Sequence, residues 1–218
     1  MTLITRLPRP LTRDSASLRD DRLFIVTCDD TFAPKQYFNF FRLPRVQIYV
    51  VPTTDGTSAA SSVLERLLHV DHDDDDELWM LLDTDHCARG AHLASFAGAL
   101  SEAKRQGVNL ALSKPSFELW LLLHHVEETA LGVLPSAKHV EEALRARLGE
   151  YNKTNLKQAH YPLASVSDAC ARAGRLDVTV AGGDIPSGNT TRVYRLLKAI
   201  AARALPQQLP PELSGLLR

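Results

Sequence analysis

Aspartates follow two apolar runs of the chain at the point where each run stops. Asp29 comes directly after residues 23–28, and Asp83 and Asp85 follow residues 78–82. Two carboxylates one residue apart in a turn can point at a common position, and Mg²⁺ or Mn²⁺ prefers such oxygen ligands. Carboxylates that converge without a cation repel each other. The pattern therefore predicts a divalent-metal site made by Asp29, Asp83 and Asp85; solvated turns that merely end two strands are the alternative.

Strands and helices alternate in the part of the chain that carries these acids. Short β-rich apolar runs predict four strands, over residues 23–28, 46–51, 78–82 and 108–112, and helical patterns predict helices over 34–41, 59–68 and 90–106. Such alternation is typical of right-handed βαβ crossovers and a mainly parallel sheet. Ligands of these sheets bind at the carboxyl ends of the strands. The sequence therefore predicts an α/β, Rossmann-like fold with the acids at one edge of its sheet.

The remaining segments differ in pattern from this core. The first 22 residues mix proline, arginine and aspartate without periodicity, whereas apolar stripes at helical spacing recur after residue 136. We expect four regions: a flexible arm (1–22), an α/β core (23–135), a helical C-terminal part of the same domain (136–205) and a loosely attached tail (206–218).

Composition narrows the class of protein. Among the 218 residues no apolar stretch reaches the ~18 needed to span a membrane. Arginines at positions 6, 9 and 13 replace the apolar run of a secretory signal, which favours the cytoplasm. The three cysteines are widely spaced, so we expect reduced thiols and no structural zinc. An oligomer is possible.

The charges are unevenly distributed along the chain. Residues 1–137 hold 13 Lys and Arg against 19 Asp and Glu, and residues 138–218 hold 12 against 7. An acidic region that could hold cations, beside a basic region that could hold phosphates, suits a metal-dependent enzyme acting on nucleic acid. Scattered surface charge explains the same numbers.

Residues 113–125 form the most unusual segment, because a single carboxylate leads an almost wholly apolar helix. Glu118 follows the fourth predicted strand, so it could face the same edge as the aspartates or simply stabilise the helix start. His124 could act as an acid, a base or a phosphate contact, or it could be a satisfied residue that closes the helix. Lys114 is a candidate phosphate ligand or a surface lysine.

The last predicted helix carries a basic face. Residues 189–191, Asn-Thr-Thr, precede it as an N-cap signal, and Arg192 and Arg195 lie in its first turns. Phosphate binding at this helix and a solvated basic face are both compatible with the pattern. The chain lacks GxxxxGK[ST], GxGxxG and GxSxG, so interpretations as a nucleotide hydrolase, a dinucleotide-binding protein or a serine hydrolase lack their motif.

Several blocks resemble the RloB-like family, whose core is a Toprim domain and which occurs in bacterial defence loci, often beside a large ATPase. The resemblance spans about residues 22–200, and its most specific block is Phe-Glu-Leu-Trp at 117–120. The other blocks are Phe-Ile-Val-Thr-Cys-Asp at 24–29 with Tyr-Phe at 37–38, Leu-Asp-Thr-Asp at 82–85, Tyr-Asn-Lys at 151–153 and Asn-Thr-Thr at 189–191.

The resemblance implies phosphodiester chemistry at a Toprim-like metal site. Toprim domains use a strand-end glutamate as general acid/base and an Asp-Xaa-Asp pair to hold Mg²⁺, and these positions correspond to Asp29 and to Asp83 with Asp85. The chain departs from the family's usual Cys-Glu-Gly-Glu, since it has Cys-Asp-Asp-Thr at 28–31. An aspartate is one methylene shorter, which would displace a carboxylate placed for proton transfer by about an ångström.

The leading hypothesis is a Mg²⁺-dependent nuclease of an antiviral defence system that acts on DNA or RNA, with a large ATPase as a possible partner. The catalytic candidates are Asp29, Glu118 and His124, and the nucleic-acid-binding candidates are Lys114, Lys153, Arg192 and Arg195. The alternative is a catalytically degenerate Toprim-like module that binds nucleic acid or the ATPase. A third hypothesis is that the basic C-terminal region senses a nucleotide signal, but no sequence motif supports it.

Overall fold

The sheet has five strands and is parallel except at one edge. The computed structural model describes residues 22–30, 32–43, 46–53, 57–85, 90 and 92–217. The strands are β1 (Arg22–Cys28), β2 (Val46–Val50), β3 (Glu77–Asp83), β4 (Asn109–Lys114) and β5 (Thr190–Thr191). Their order is β2-β1-β3-β4-β5, and only β5 runs antiparallel to its neighbour. The predicted α/β fold class with a mainly parallel sheet is confirmed.

Helices cover both faces of this sheet. The α-helices are α1 (Ala33–Asn39), α2 (Ala60–Leu68), α3 (His92–Arg105), α4 (Glu118–Leu123), α5 (Ala137–Leu148), α6 (Leu163–Val178) and α7 (Val193–Arg203). Three short 3₁₀ helices lie at Glu128–Ala130, Gln158–His160 and Pro211–Leu217. None of the described helices is long and apolar enough to cross a membrane.

The central strands β1 and β3 bury both of their faces, which is why they read as continuous apolar runs. Along β3, Trp79 and Leu81 face one layer of the core, whereas Leu78, Met80 and Leu82 face the other. The first layer contains α1 and α4 to α7, and the second contains α2 and α3. β1 and β3 are therefore held between two apolar layers, and among the described residues these two strands present polar groups to solvent at their ends.

The C-terminal segment differs from the prediction. Residues 206–218 were expected to be loosely attached, but Leu209, Leu213 and Leu216 are buried in the larger core layer. The 3₁₀ helix that carries two of these leucines packs against α6 and α7. These leucines are four and three residues apart, which is a helical spacing, but prolines at positions 206, 210 and 211 interrupt the segment, and for that reason the sequence pattern did not predict a packed element there. The predicted arm, residues 1–22, lies outside the described residues except for the backbone of Arg22.

Two of the cysteines fit the expectation of reduced thiols. Cys28 and Cys170 are buried and unpaired. Cys87 lies outside the described residues.

Candidate metal and phosphate site

The carboxyl ends of β1 and β3 are joined by the carboxylate of Asp29. Parallel pairing places Cys28 beside Leu81, so the residues that follow the two strands lie next to each other. Oδ2 of Asp29 accepts a hydrogen bond from the backbone N–H of Asp83 at 2.9 Å, and Oδ1 accepts one from the N–H of Asp30 at 3.0 Å. The two acidic strand ends predicted from the sequence therefore meet at one edge of the sheet.

Asp30 accepts hydrogen bonds from backbone amides at the start of α1. Its carboxylate accepts hydrogen bonds from the backbone N–H groups of Phe32 at 2.9 Å and Ala33 at 3.3 Å. These amides would otherwise lack a partner at the helix start. Asp30 thus positions α1 beside the end of β1, and its side chain also lines the cleft described below.

Glu118 reaches the same edge from β4. The backbone N–H groups of Thr84 and Asp85 both donate to the carbonyl oxygen of Pro115 at 3.2 Å, which ties the turn after β3 to the turn after β4. α4 then begins at Glu118, whose side chain is only 4 % exposed and accepts a hydrogen bond from the hydroxyl of Tyr151 at 2.9 Å. The buried position agrees with the predicted placement beside the aspartates.

A cleft of about 310 Å³ opens at this edge and is the acidic cleft of the following text. Among the described residues that line it, six side chains are carboxylates and Lys153 is the only cation. The carboxylates belong to Asp29, Asp30, Asp83, Asp85, Glu118 and Glu141, and the other lining residues are Phe32, Ser58, Ser116 and Ala137. The structure therefore brings all three predicted metal ligands, Glu118 and Lys153 into one cavity.

The electrostatics of the acidic cleft are unfavourable for negative charge. Burial raises the pKa of Asp29 to about 7, although hydrogen bonds from the backbone of Asp83 and Asp30 act in the opposite direction. Burial, followed by the charges of Asp29 and Glu118, raises the pKa of Asp83 well above its usual range. Burial also raises the pKa of Glu118, against the hydrogen bonds from Ser116 and Tyr151. A bound cation would relieve this repulsion.

The donor atoms suit a hard divalent cation, but the side chains are not closed around a metal position. Within the described ranges no three His, Cys, Asp or Glu side chains converge closely enough to hold a metal ion. Mg²⁺ usually keeps several waters and takes only one or two protein carboxylates. Asp83 and Asp85, with Asp29 beside them, present carboxylates of that kind to the cleft.

His124 lies in the aromatic core, outside the acidic cleft. Its side chain is 5 % exposed, and its ring stacks edge-on against Trp120 and Tyr161. Nε2 is 3.0 Å from the hydroxyl of Tyr37, and Nδ1 is 2.7 Å from the hydroxyl of Ser165. Burial lowers its pKa to about 3, so the ring is neutral at physiological pH. This placement does not support the catalytic role predicted for His124. It favours the alternative, a histidine that closes the helix with its hydrogen bonds satisfied within the fold.

Lys114 holds a loop and does not line the acidic cleft. Its ammonium group donates to the carbonyl oxygens of Pro186 and Ser187, each at 3.0 Å. The predicted phosphate contact is therefore not supported, because these carbonyl groups occupy the ammonium group. Lys153, in contrast, lines the cleft, and its ammonium group has no hydrogen bond or ion pair within the described part of the chain.

Arg192 and Arg195 belong to a second charged group, the Asp177 cluster, formed by Asp177, Arg192, Tyr194 and Arg195. Arg192 Nε donates to Asp177 Oδ1 at 3.0 Å, and Arg195 Nη2 donates to Oδ2 at 2.7 Å. The hydroxyl of Tyr194 donates to Oδ2 at 3.0 Å. Both arginines lie beside the start of β4 and do not line the acidic cleft. Arg192 is buried, and its guanidinium donates to Asp177 and to the carbonyl oxygen of Asp184. Its predicted role in nucleic-acid binding is therefore not supported.

Asn189 joins distant parts of the fold and does not cap the last helix. α7 begins at Val193 without a side-chain cap, and residues 190–191 form β5. The amide of Asn189 instead donates to the carbonyl oxygens of Leu134 at 2.6 Å and Lys114 at 3.4 Å, and accepts the N–H of Leu134 at 3.1 Å. The N-cap prediction was wrong because the short edge strand takes up the residues that would have preceded the helix.

Gln36 has a similar role that the sequence did not reveal. Its Nε2 donates to the carbonyl oxygen of Lys153 at 2.8 Å, and its Oε1 accepts the N–H of Leu156 at 2.9 Å. The partners lie more than a hundred residues away, so no local pattern could have shown this contact. Tyr151 was indicated only as part of the Tyr-Asn-Lys block, without a role.

The fold and the cleft define an α/β protein with a carboxylate-lined site at the carboxyl edge of a mostly parallel sheet. A family profile described as RloB-like protein matches residues 24–200, so the chain belongs to the RloB-like family. Neither the curated proteins nor the solved structures include a significant match to the chain.

Proposed function

We propose that the protein is a Mg²⁺-dependent nuclease, which hydrolyses phosphodiester bonds of DNA or RNA in the acidic cleft. The observation that carries this proposal is that Asp29, Asp83 and Glu118 line one cleft, where burial raises the pKa of each. Buried like charges destabilise a fold, and strongly perturbed carboxylates in a cleft are typical of functional sites. Lys153 adds a cation suited to a phosphate.

The residues divide into metal ligands and groups that act on the substrate. Asp83 and Asp85 would hold Mg²⁺, with Asp29 as a third ligand, and the bound ion would acidify a water molecule and neutralise charge on the phosphate. In this proposal Asp29 would also accept the proton of the attacking water. Tyr151 fixes the orientation of Glu118 through its hydroxyl group. Lys153 is placed to attract the phosphate into the cleft.

The family suggests the setting of this activity. RloB-like proteins occur in bacterial defence loci, often beside a large ATPase, so we place the nuclease in the cytoplasm as part of an antiviral response. The ATPase would be its partner, and either assembly with it or a signal from infection would trigger cleavage.

A cleavage assay with matched variants tests the proposal. The native chain and the Asp83→Ala/Asp85→Ala variant are incubated with plasmid DNA, single-stranded DNA and total tRNA, with Mg²⁺ or Mn²⁺ or with a chelator. Asp71→Ala/Asp74→Ala is the control, since it removes two exposed carboxylates outside the cleft. We expect metal-dependent cleavage by the native and control proteins and none by the first variant. Equal cleavage by all three would refute the assignment.

A second candidate function is a non-catalytic Toprim-like module that binds nucleic acid or the partner ATPase. It is favoured by the geometry of Asp29, because both carboxylate oxygens already accept backbone hydrogen bonds. Asp29→Glu separates the two candidates, since it restores the longer acid of the family. Cleavage by Asp29→Glu but not by the native chain would support a degenerate site. Cleavage by the native chain would exclude a degenerate site.

A further inference from the structure

Phe32 is an exposed aromatic residue at the acidic cleft. Its side chain is 46 % exposed, and the residue is among those that line the cleft. The other large apolar residues with exposed side chains in the described part of the chain do not line it. Single exposed apolar residues are common on protein surfaces and need no function. Phe32 differs from them in position, since a molecule that enters the cleft passes beside it.

Packing of the fold does not explain this position. The neighbouring aromatic residues Tyr37 and Phe38 in α1 are buried, and their ring centroids are 5.3 Å apart in an edge-on contact. Phe32 forms no such ring pair with any described residue. Burial of a phenylalanine ring stabilises a fold, so an exposed ring at the cleft leaves that stabilisation unused.

The backbone of Phe32 is fixed on both sides. Its N–H group donates to Oδ1 of Asp30 at 2.9 Å, and its carbonyl oxygen accepts hydrogen bonds from the backbone N–H of Gln36 at 3.3 Å and from Nε2 of Gln36 at 3.1 Å. Phe32 directly precedes α1, so the helix also holds it. A side chain on such a fixed backbone binds a ligand with little cost of ordering.

A cation lies beside the exposed ring. Nε2 of Gln36 donates to the carbonyl oxygen of Phe32 and also to that of Lys153, at 2.8 Å. Because one nitrogen atom reaches both carbonyl groups, Phe32 and Lys153 are neighbours, and both line the cleft. Proteins that bind single-stranded nucleic acid combine cations that follow the backbone with aromatic rings on which bases stack. The two residues provide this combination.

We propose that Phe32 is a base-stacking residue that makes the acidic cleft selective for unpaired nucleotides of single-stranded nucleic acid. Neighbouring bases cover both faces of a base inside a duplex, whereas a base in a single strand turns out of its stack at low cost. A cavity of about 310 Å³ is at the lower end of the range for small-molecule pockets, so it fits one nucleotide better than a base pair. The inference deepens the proposed nuclease function and rests on it for the presence of nucleic acid in the cleft.

Substitutions at position 32 separate stacking from apolar packing. Phe32→Leu keeps an apolar side chain and loses the ring, whereas Phe32→Trp keeps an aromatic ring. Tyr49→Ala is the matched control, since Tyr49 is 44 % exposed and does not line the cleft. The background for all three is Asp83→Asn/Asp85→Asn, which removes the proposed metal ligands and two negative charges. Circular dichroism checks that each variant keeps the fold.

The experiment measures binding of fluorescein-labelled oligothymidylate and oligouridylate, each single-stranded or annealed to its complement, by fluorescence anisotropy without divalent metal. The background is expected to bind at least one of the single strands about tenfold more tightly than its duplex. Phe32→Leu should weaken binding of that single strand by about the same factor and leave the duplex unchanged. Phe32→Trp and Tyr49→Ala should bind as the background does.

A second readout reports stacking directly. The fluorescence of 2-aminopurine falls when the base stacks on a ring, so a single strand that contains it should be quenched by the background and by Phe32→Trp. Phe32→Leu should not quench it at a protein concentration that saturates binding. A structural role of Phe32 does not predict this difference.

The outcomes separate this inference from the nuclease function. Equal affinity of the background for single strands and duplexes, binding of neither, or equal binding and quenching by Phe32→Leu and the background overturns the stacking role. The expected losses in a protein whose native form does not cleave nucleic acid retain the stacking role and overturn the nuclease. Metal-dependent cleavage by the native chain, with unchanged binding in Phe32→Leu, retains the nuclease and overturns the stacking role.

Discussion

Buried carboxylates have opposite surroundings in the acidic cleft and in the Asp177 cluster. In the Asp177 cluster one carboxylate receives two arginines and a tyrosine hydroxyl, and the hydrogen bond and charge of Arg192 lower the pKa of Asp177 in spite of burial. In the cleft, burial and neighbouring acids raise the pKa of Asp83. The first arrangement stabilises the fold, whereas the second destabilises it and is therefore expected to serve binding or catalysis.

The comparison also explains why charge alone misleads. Arg192 and Lys153 are both basic residues in the basic half of the chain. Arg192 is enclosed by its partners, while Lys153 lines the cleft. A charged residue is a candidate for function when its surroundings leave it uncompensated.

The largest expected effect on stability is in the Asp177 cluster. Asp177→Asn leaves the buried guanidinium of Arg192 without its counter-ion, and removal of one partner of a buried pair costs about 3 kcal/mol. Urea unfolding of the native and variant proteins measures this loss. A loss below about 1 kcal/mol would remove the contrast with the cleft.

His124 is a second buried group whose polar atoms have partners within the fold. Its lowered pKa should make the stability of the protein depend on pH. Its folded pKa of about 3 lies below the ordinary value of 6.5, so the unfolded chain binds more protons between these values. The stability that the neutral ring supports is complete above pH 6.5 and falls as the pH drops towards 3. From pH 7.5 to 5 this contribution decreases by roughly 2 kcal/mol.

The variant His124→Gln isolates this contribution, because it has no titrating ring. Urea unfolding of both proteins at pH 7.5 and pH 5 should show a larger loss in the native chain by about that amount. The same loss in both proteins would show that His124 is not held neutral by the fold.

The cleft should respond in the opposite direction. Asp83→Asn removes a buried acid that is repelled by Asp29 and Glu118, so it should raise the free energy of unfolding by about 1 kcal/mol at pH 8 without metal. Urea unfolding in the presence of a chelator measures the gain. A destabilised variant would place Asp83 among the structural acids, together with Asp177.

The smallest expected effect comes from the exposed partner of the Asp177 cluster. The side chain of Arg195 is half exposed, and ion pairs in such positions contribute less than about 1 kcal/mol. Arg195→Gln should therefore cost about 0.5 kcal/mol in urea unfolding. A cost equal to that of Asp177→Asn would mean that Arg195, and not Arg192, compensates the carboxylate.

The sequence predicted the parts of the site that depend on local pattern. Asp29 and Asp83 end apolar strands, and parallel pairing of such strands brings their ends together, so the acidic edge followed from spacing. Glu118 followed from the turn after β4. The bounds of these strands agree with the predicted runs to within two residues.

The wrong or unsupported predictions involve side chains whose partners are distant in the chain. His124 contacts Ser165 and Lys114 contacts Pro186, and neither pair has a local signature. β5 has two residues, too few to show the alternating pattern of a strand, so the sequence pattern predicts a helix N-cap at Asn189 instead. Long-range hydrogen bonds decide whether a polar residue is free to act, and spacing does not reveal them.

The central claim is that Asp83 and Asp85 of the acidic cleft bind a divalent cation. Urea unfolding with and without 10 mM Mg²⁺ tests it on the native chain, on Asp83→Asn/Asp85→Asn and on the control Asp71→Asn/Asp74→Asn. A ligand that binds only the folded state stabilises it, by about 1.4 kcal/mol at tenfold excess over its dissociation constant. We predict such a gain in the native and control proteins, and none in the cleft variant, which should be the most stable of the three without metal. Equal gains in all three proteins, or no gain in the native chain, would contradict the claim.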